Sequence, residues 1–279
     1  MCNELKPISG RGMIACANLH GQTDPGVPAL VRQAWLQGDF DASEERDILA
    51  RYGHMLGPKE HAARTERLLF ERKIQGAQRM LSLLPTHARA IAETRIALIT
   101  ENKSADAKLA ALPVSARQAP GIIFDRISFR HKKGLEDGAL ELFLASPTNP
   151  PYADAWWPLR HYYAREAMAR GQYSKALSIV RRTGDVQTEF KAESLWLAGW
   201  LRYEYLNDAR SAHQDFQALY NLVKTPVSKA RAAYWAGRAA ERTGNPDQAK
   251  QWLGKAAAYP TVFYGQLAYA KLHPGKPLA

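Results

Sequence analysis

The chain has 279 residues and a formal net charge of +11, from 38 Lys and Arg against 27 Asp and Glu. Apolar residues make up 46%, which excludes a wholly disordered chain, and the glycines and prolines show no three-residue period, which excludes collagen-like sequence. The length accommodates one large domain or two ordinary ones, with a core that needs no metal or disulfide staples.

The two cysteines, Cys2 and Cys16, both lie near the N-terminus. No pair falls inside the body of the chain, so a disulfide framework and a Cys-based zinc site are excluded. The redox compartment stays open, since a helical protein needs no disulfide even in an oxidising space. No apolar run reaches the ~18 residues of a membrane span. The longest near the start, Met13-Ile14-Ala15-Cys16-Ala17, is too short for a secretory apolar region. Its ending at Cys16 resembles a lipoprotein cleavage box, but Gly10-Arg11-Gly12 before it cannot serve as an apolar core.

Periodicity is helical almost throughout. Segment 1–27 is expected to be poorly structured. Val27 to Leu36 reads as the first helix. Gly38-Asp39-Phe40 turns the chain, and Asp41-Ala42-Ser43-Glu44 supplies capping chemistry for a helix through Leu56. Further helices are expected over 60–73, 76–84, 86–99, 106–112, 121–132 and 135–144. Ser146-Pro147-Thr148-Asn149-Pro150-Pro151 is the clearest break. After it come longer helices over 153–170, 173–182, 188–205, 209–223, 227–243, 246–257 and 262–272. No segment alternates like a strand.

The C-terminal half repeats. Trp196-Leu197-Ala198-Gly199 matches Tyr234-Trp235-Ala236-Gly237 at an offset of 38. Ala176, Ala212 and Ala249 follow one another at offsets of 36 and 37. Small residues at fixed places let antiparallel helices approach closely, and stacked pairs bury a core that no single pair could. The expected fold is all-α: an α-solenoid of tetratricopeptide-like helix pairs over 28–272, with a linker-like tail over 273–279. The period is close to the tetratricopeptide length of ~34 residues but looser.

Catalytic patterns are scarce. The sequence holds no HExxH, no GxSxG and no phosphate-binding P-loop. The eight histidines show no ligand spacing, so neither a metal nor a cofactor is expected. Glu193-Ser194 opens an apolar stretch, as a glycan-cleaving acid might, but a carboxylate early in a helix also offsets the helix dipole. Two aromatic–cation stripes stand out. Arg231, Tyr234, Trp235, Arg238 and Arg242 share one helical face, and Trp156, Trp157, Arg160 and Tyr163 form a similar set. Aromatics stack on sugar rings, and Arg binds carboxylates in a fork. The same stripes also suit the seam between packed helices, with Arg stems lying along the rings.

The block Ala230 to Ala239, followed by Phe263-Tyr264-Gly265-Gln266-Leu267-Ala268, resembles the large N-terminal superhelical domain of the soluble lytic murein transglycosylases, of the alphaproteobacterial type. Upstream segments agree in order, among them Ala34 to Phe40, Arg64 to Phe70, Pro120 to Arg126, Trp156 to Arg160 and Ala198-Gly199-Trp200. The resemblance implies a periplasmic cell-wall protein, although no signal peptide is recognisable. It assigns Gly199, Gly237, Phe263, Tyr264, Gly265 and Gln266 to the structural signature. It makes the two stripes candidate glycan contacts and peptidoglycan strands the expected partner, with cell-wall proteins as further partners. In that family a C-terminal lysozyme-like domain cleaves the MurNAc–GlcNAc bond to 1,6-anhydro products, using a Glu-Ser pair and a Gly-x-Met-Gln segment. No such set follows Gln266, so no catalytic residue is assigned and the chain alone is expected to be inactive. The alternatives are a tetratricopeptide-like adaptor for a peptide or protein and, last, an RNA-binding helical repeat. Alanine, glycine and tryptophan stand where RNA repeats place base-reading polar residues, so no nucleic acid is expected.

Overall fold

The structure, a computed structural model, describes residues 9–21 and 23–277. Every regular element among them is helical. The chain forms two compact units that divide between Ala139 and Leu140. The division falls inside a helix over Glu136–Ala145, ahead of the proline-rich break at 146–151.

The first unit contains α1 (Gly10–His20), α2 (Val27–Gln37), α3 (Ala42–Tyr52), α4 (Pro58–Phe70), α5 (Ile74–Met80), α6 (Thr86–Ile99), α7 (Ala105–Ala111), α8 (Val114–Arg117) and α9 (Pro120–Lys132). α10 (Glu136–Ala145) carries the division. The expected cap of α3 is present: Asp41 accepts from the N–H groups of Ser43 and Glu44, and Glu44 reaches back to the Asp41 N–H. The core gathers Val31, Trp35, Ile48, Tyr52, Leu68 and Met80. Two arginines lie wholly inside. Arg64 donates to the Trp35 and Gly38 carbonyls, each at 2.7 Å, and pairs with Glu45 at 2.7 Å. Arg95 pairs with Asp125 at 2.5 Å and Glu66 at 2.6 Å.

Within the segment 1–27, expected to be poorly structured, Gly10–His20 form α1, while residues 1–8 and 22 lie outside the described residues. Ser9 caps that helix by accepting from the Gly12 N–H, and Met13 and Ala17 are buried. Gly10 lies against Gly38, where a Cβ would come within 2.3 Å of the Gly38 Cα. Asn18 accepts from Arg51 and from the Tyr52 hydroxyl. These tertiary contacts order a glycine-rich stretch of modest propensity. Cys16, on the same helix, is disulfide-bonded.

The second unit contains α11 (Ala153–Ala169), α12 (Tyr173–Val180), α13 (Thr188–Trp200), α14 (Ala209–Leu222), α15 (Pro226–Arg242), α16 (Pro246–Ala257) and α17 (Phe263–Leu272). From α13 onward each helix packs on the next, and α15 also meets α17. The helix expected over 188–205 changes character at Leu201. Residues Leu201–Tyr205 form a π-turn in which the Leu206 N–H donates to the Leu201 carbonyl five residues back. Asn207, in the left-handed region at φ 52°, then ends it. Ala176, Ala212 and Ala249 are all buried, as their repeat positions predict. A Cβ on Gly199 would lie 2.7 Å from the Phe216 ring, and one on Gly237 would lie 2.9 Å from Leu253. Both glycines therefore sit at close helix crossings.

Candidate aromatic and arginine site

α15 is built to be approached. Pro226 opens it after Thr225, whose hydroxyl accepts from the Ser228 N–H. Ala232, Ala233, Ala236, Ala239 and Ala240 are buried, together with Gly237. Between these small residues rise the large ones of the first stripe. Arg231 lies 4.3 Å over the Trp196 ring and Arg242 lies 4.3 Å over the Tyr203 ring. Arg238 donates to the Tyr234 hydroxyl at 3.2 Å and pairs with Glu241 at 3.0 Å.

The rings form a continuous run. Trp196 and Trp200, one turn apart on α13, have centroids 6.0 Å apart. Trp200 meets Trp235 edge-on at 4.9 Å, and Tyr203 meets Trp235 at 5.4 Å. Trp235 touches Tyr234, which lies 5.5 Å from Tyr264, and Tyr264 touches Phe263. Trp196, Trp200, Trp235 and Tyr264 are half-buried, Tyr234 is buried and Phe263 is exposed. One end of the run borders an open cleft of about 450 Å³, lined by Arg165, Met168 and Ala169 of α11 together with Trp196, Leu197, Trp200 and Tyr205. The Tyr205 ring is held by stacking on Tyr173 at 4.1 Å. The π-turn is what swings Tyr203 and Tyr205 out of the α-helical progression.

The second stripe has a different fate. Trp156, Trp157 and Arg160 are buried, with at most 2% of any of them exposed, so they offer no face to a glycan. They fill the seam between helices, the packing role that their spacing also allowed. Arg160 donates to the Ile179 carbonyl at 3.2 Å and the Ser146 hydroxyl at 3.3 Å. Its guanidinium flanks the Phe143 and Trp156 rings. Burial, with Arg182 nearby, pushes the Arg160 pKa down to about 10.

Glu193 and Ser194 divide in the same way. The Glu193 carboxylate accepts from the Trp157 indole at 2.8 Å, and the buried Ser194 hydroxyl donates to the Val180 carbonyl at 2.9 Å. Glu193 lies in the second turn of α13, and the first-turn acid that faces the helix dipole is Glu189. Within the signature block, Gly265 is indispensable, because a Cβ there would come within 1.8 Å of the Tyr259 carbonyl oxygen. Gln266 is half-buried on α17, where its N–H donates to the Val262 carbonyl.

Arg165, Trp196, Trp200 and Tyr205 complete the site beside Arg231 and Trp235. In sequence Trp196 reads as a repeat marker, and Trp200 enters only through the resembling segment Ala198-Gly199-Trp200. Their i, i+4 spacing is the signal that puts both on one face. Nothing local marks Arg165 or Tyr205. Among the described residues no cluster of three metal-ligating side chains occurs, and no helix is long and apolar enough to cross a membrane. What the folded unit defines is an all-α protein with an aromatic, cationic cleft. Compared with known proteins, the chain matches no family model and no curated protein.

Proposed function

We propose that the chain is the non-catalytic superhelical part of a peptidoglycan lytic transglycosylase, and that its second unit holds glycan strands on the Trp196–Trp200–Trp235 surface. The observation that carries this reading is the run of half-buried rings beside an open cleft, with Arg231 and Arg165 at its margins. Flat rings suit the apolar faces of sugars, and guanidinium groups suit the carboxylates of the peptide stems. The side-by-side packing of successive helices and the contact of α15 with α17 support a solenoid of helix pairs. Net charge +11 favours an anionic polymer. A disulfide at Cys16 suits an oxidising compartment such as the periplasm.

The test is co-sedimentation with purified sacculi, with RNA as competitor. Binding that survives RNA and falls at least several-fold in Trp196→Ala, Trp200→Ala supports the reading. Equal retention of that variant removes the aromatic surface from it. Loss of wild-type binding to RNA would favour a nucleic-acid partner instead. No sacculus binding, with capture of a peptide in the cleft, would favour the adaptor.

A further inference from the structure

Ala176, Ala212 and Ala249 are each the fourth residue of their helix, so α12, α14 and α16 hold matching places in successive pairs. The turns before α14 and α16 match as well. Asn207 and Gly244 both take left-handed φ, at 52° and 74°. Asp208 and Asn245 both cap by accepting from the N–H three residues on, each at 3.1 Å. This register puts His213 where the preceding pair has Leu177, at an offset of 36, and Thr243 where it has Leu206, at an offset of 37. Two apolar positions are polar in the later pair, and the acidic cap is a neutral amide there.

The later set lines one recess of about 310 Å³: Arg210, His213 and Gln214 from α14, Thr243 and Asn245 from the turn, and Gln248 from α16. Every side chain in this wall is polar, and none is acidic. His213 is only 8% exposed. Its Nδ1 lies 2.9 Å from the Ala236 carbonyl, which can only accept, so Nδ1 holds the proton and Nε2 of the neutral ring is an acceptor. That buried Nε2 meets no donor. A buried polar atom without a partner is costly, and a leucine at the same repeat position avoids the cost. Arg210 is exposed and makes no hydrogen bond or ion pair among the described residues. Asp208, the acid whose charge Arg210 favours, is occupied as the α14 cap.

We propose that this recess binds the carboxyl-terminal end of a peptide. The carboxylate lies on Arg210 and the first turn of α16, and the adjoining peptide group lies against His213 and the Gln214 and Gln248 amides. One guanidinium fork matches one carboxylate, and the helix dipole favours a negative charge at that turn. Asp247, on the same turn, does not line the recess. A peptide N–H is the donor that Nε2 lacks, and side-chain amides pair with a peptide group in both directions. The volume falls at the lower end of small-ligand sites, which suits one or two terminal residues rather than a longer segment. The recess shares no residue with the aromatic cleft and does not rest on the glycan reading.

The test is NMR titration of the whole chain with N-acetyl-dialanine, with its C-terminal amide, and with N-acetylglutamic acid α-amide, which carries a side-chain carboxylate only. Saturable binding of N-acetyl-dialanine is expected. The His213 Nε2 resonance, identified by its loss in His213→Leu, should shift in step. The C-terminal amide should bind about tenfold more weakly, and so should N-acetyl-dialanine to Arg210→Gln. The control Lys250→Gln, which removes the same charge from exposed surface on α16, should bind as wild type does. His213→Leu should lose affinity while unfolding at the same or a higher temperature, since it carries the apolar residue of the preceding pair. A histidine kept for packing alone would show a lower midpoint and unchanged binding. Arg210→Gln alters an exposed residue and should unfold as wild type does, so its affinity decides the matter even if His213→Leu folds poorly. No saturable binding of N-acetyl-dialanine, equal affinity for the acid and its amide, or undiminished affinity in Arg210→Gln would overturn the site. Preference for the side-chain carboxylate would overturn the terminal assignment.

Discussion

The Trp157 indole donates to the Glu193 carboxylate across α11 and α13 at 2.8 Å. This contact accounts for a Glu-Ser pair that, read alone, resembles catalytic sequence. General acid work needs a carboxyl tuned in pKa and within reach of substrate. An exposed carboxylate held by an indole N–H is a poor candidate. The chain alone is expected to release no 1,6-anhydromuropeptides from sacculi. Release that disappears in Glu193→Gln would overturn this assignment.

Gly199, Gly237 and Gly265 set the spacing of the second unit's helices. Gly199→Leu and Gly237→Leu should each cost about 1–3 kcal/mol through overpacking. Gly265→Ala should cost more than Gly237→Ala, because the Tyr259 backbone carbonyl cannot move aside as a leucine side chain can. Urea unfolding of the variants measures this order. Unchanged midpoints for Gly199→Leu and Gly237→Leu would show that those crossings are looser than described.

Two buried arginines should respond oppositely to loss of charge. Arg64 is paired, so Glu45→Ala strands it and should cost about 3–5 kcal/mol. Arg160 has no carboxylate partner among the described residues, and its Nε lacks any partner. Arg160→Met should therefore be neutral or stabilising at pH 7, by up to about 3 kcal/mol. Burial holds the folded pKa of Arg160 at about 10, below its ordinary value. Between those values the unfolded chain holds more protons, so wild-type stability gains on the variant as pH rises through about 10. A variant destabilised by several kcal/mol at pH 7 would contradict this sign.

Glu44 titrates unusually low. Its hydrogen bond with Arg11, and then the Asp41 N–H, lower its pKa from 4.5 to about 2. The contribution to stability is present above pH 4.5 and is lost as pH falls toward 2. Its size is small, because the pair is exposed to solvent. Carboxyl NMR of Arg11→Ala should show the Glu44 pKa moving back up, stopping short of its ordinary value because the Asp41 N–H still donates. An unmoved value would detach α1 from this contact.

Sacculus binding, if it uses the cationic stripe, should weaken with salt. Arg231→Ala, Arg238→Ala should bind less than wild type at low salt, and the gap should narrow at physiological salt. Equal retention at every salt concentration would leave the arginines as props for their rings.

Local chemistry in the sequence determined most of the helices. Asp41 and Glu44 cap one helix, Pro226 opens another, and the proline-rich stretch at 146–151 breaks the chain, all through interactions within a few residues. The alanine and glycine spacing of the second half likewise anticipated the close crossings at Gly199 and Gly237, since a missing side chain has one effect wherever helices meet. Tertiary structure alone decided the rest. The two aromatic–arginine stripes are alike in spacing, yet Trp156, Trp157 and Arg160 are sealed while Arg231 and Trp235 border open surface. Helical periodicity names a face but not what covers it. For the same reason α1 has weak local signals and is held by Gly38, Arg51 and Tyr52, while Arg165 and Tyr205 reach Trp196 and Trp200 only through the packing of α11 on its neighbours and the π-turn at Leu201.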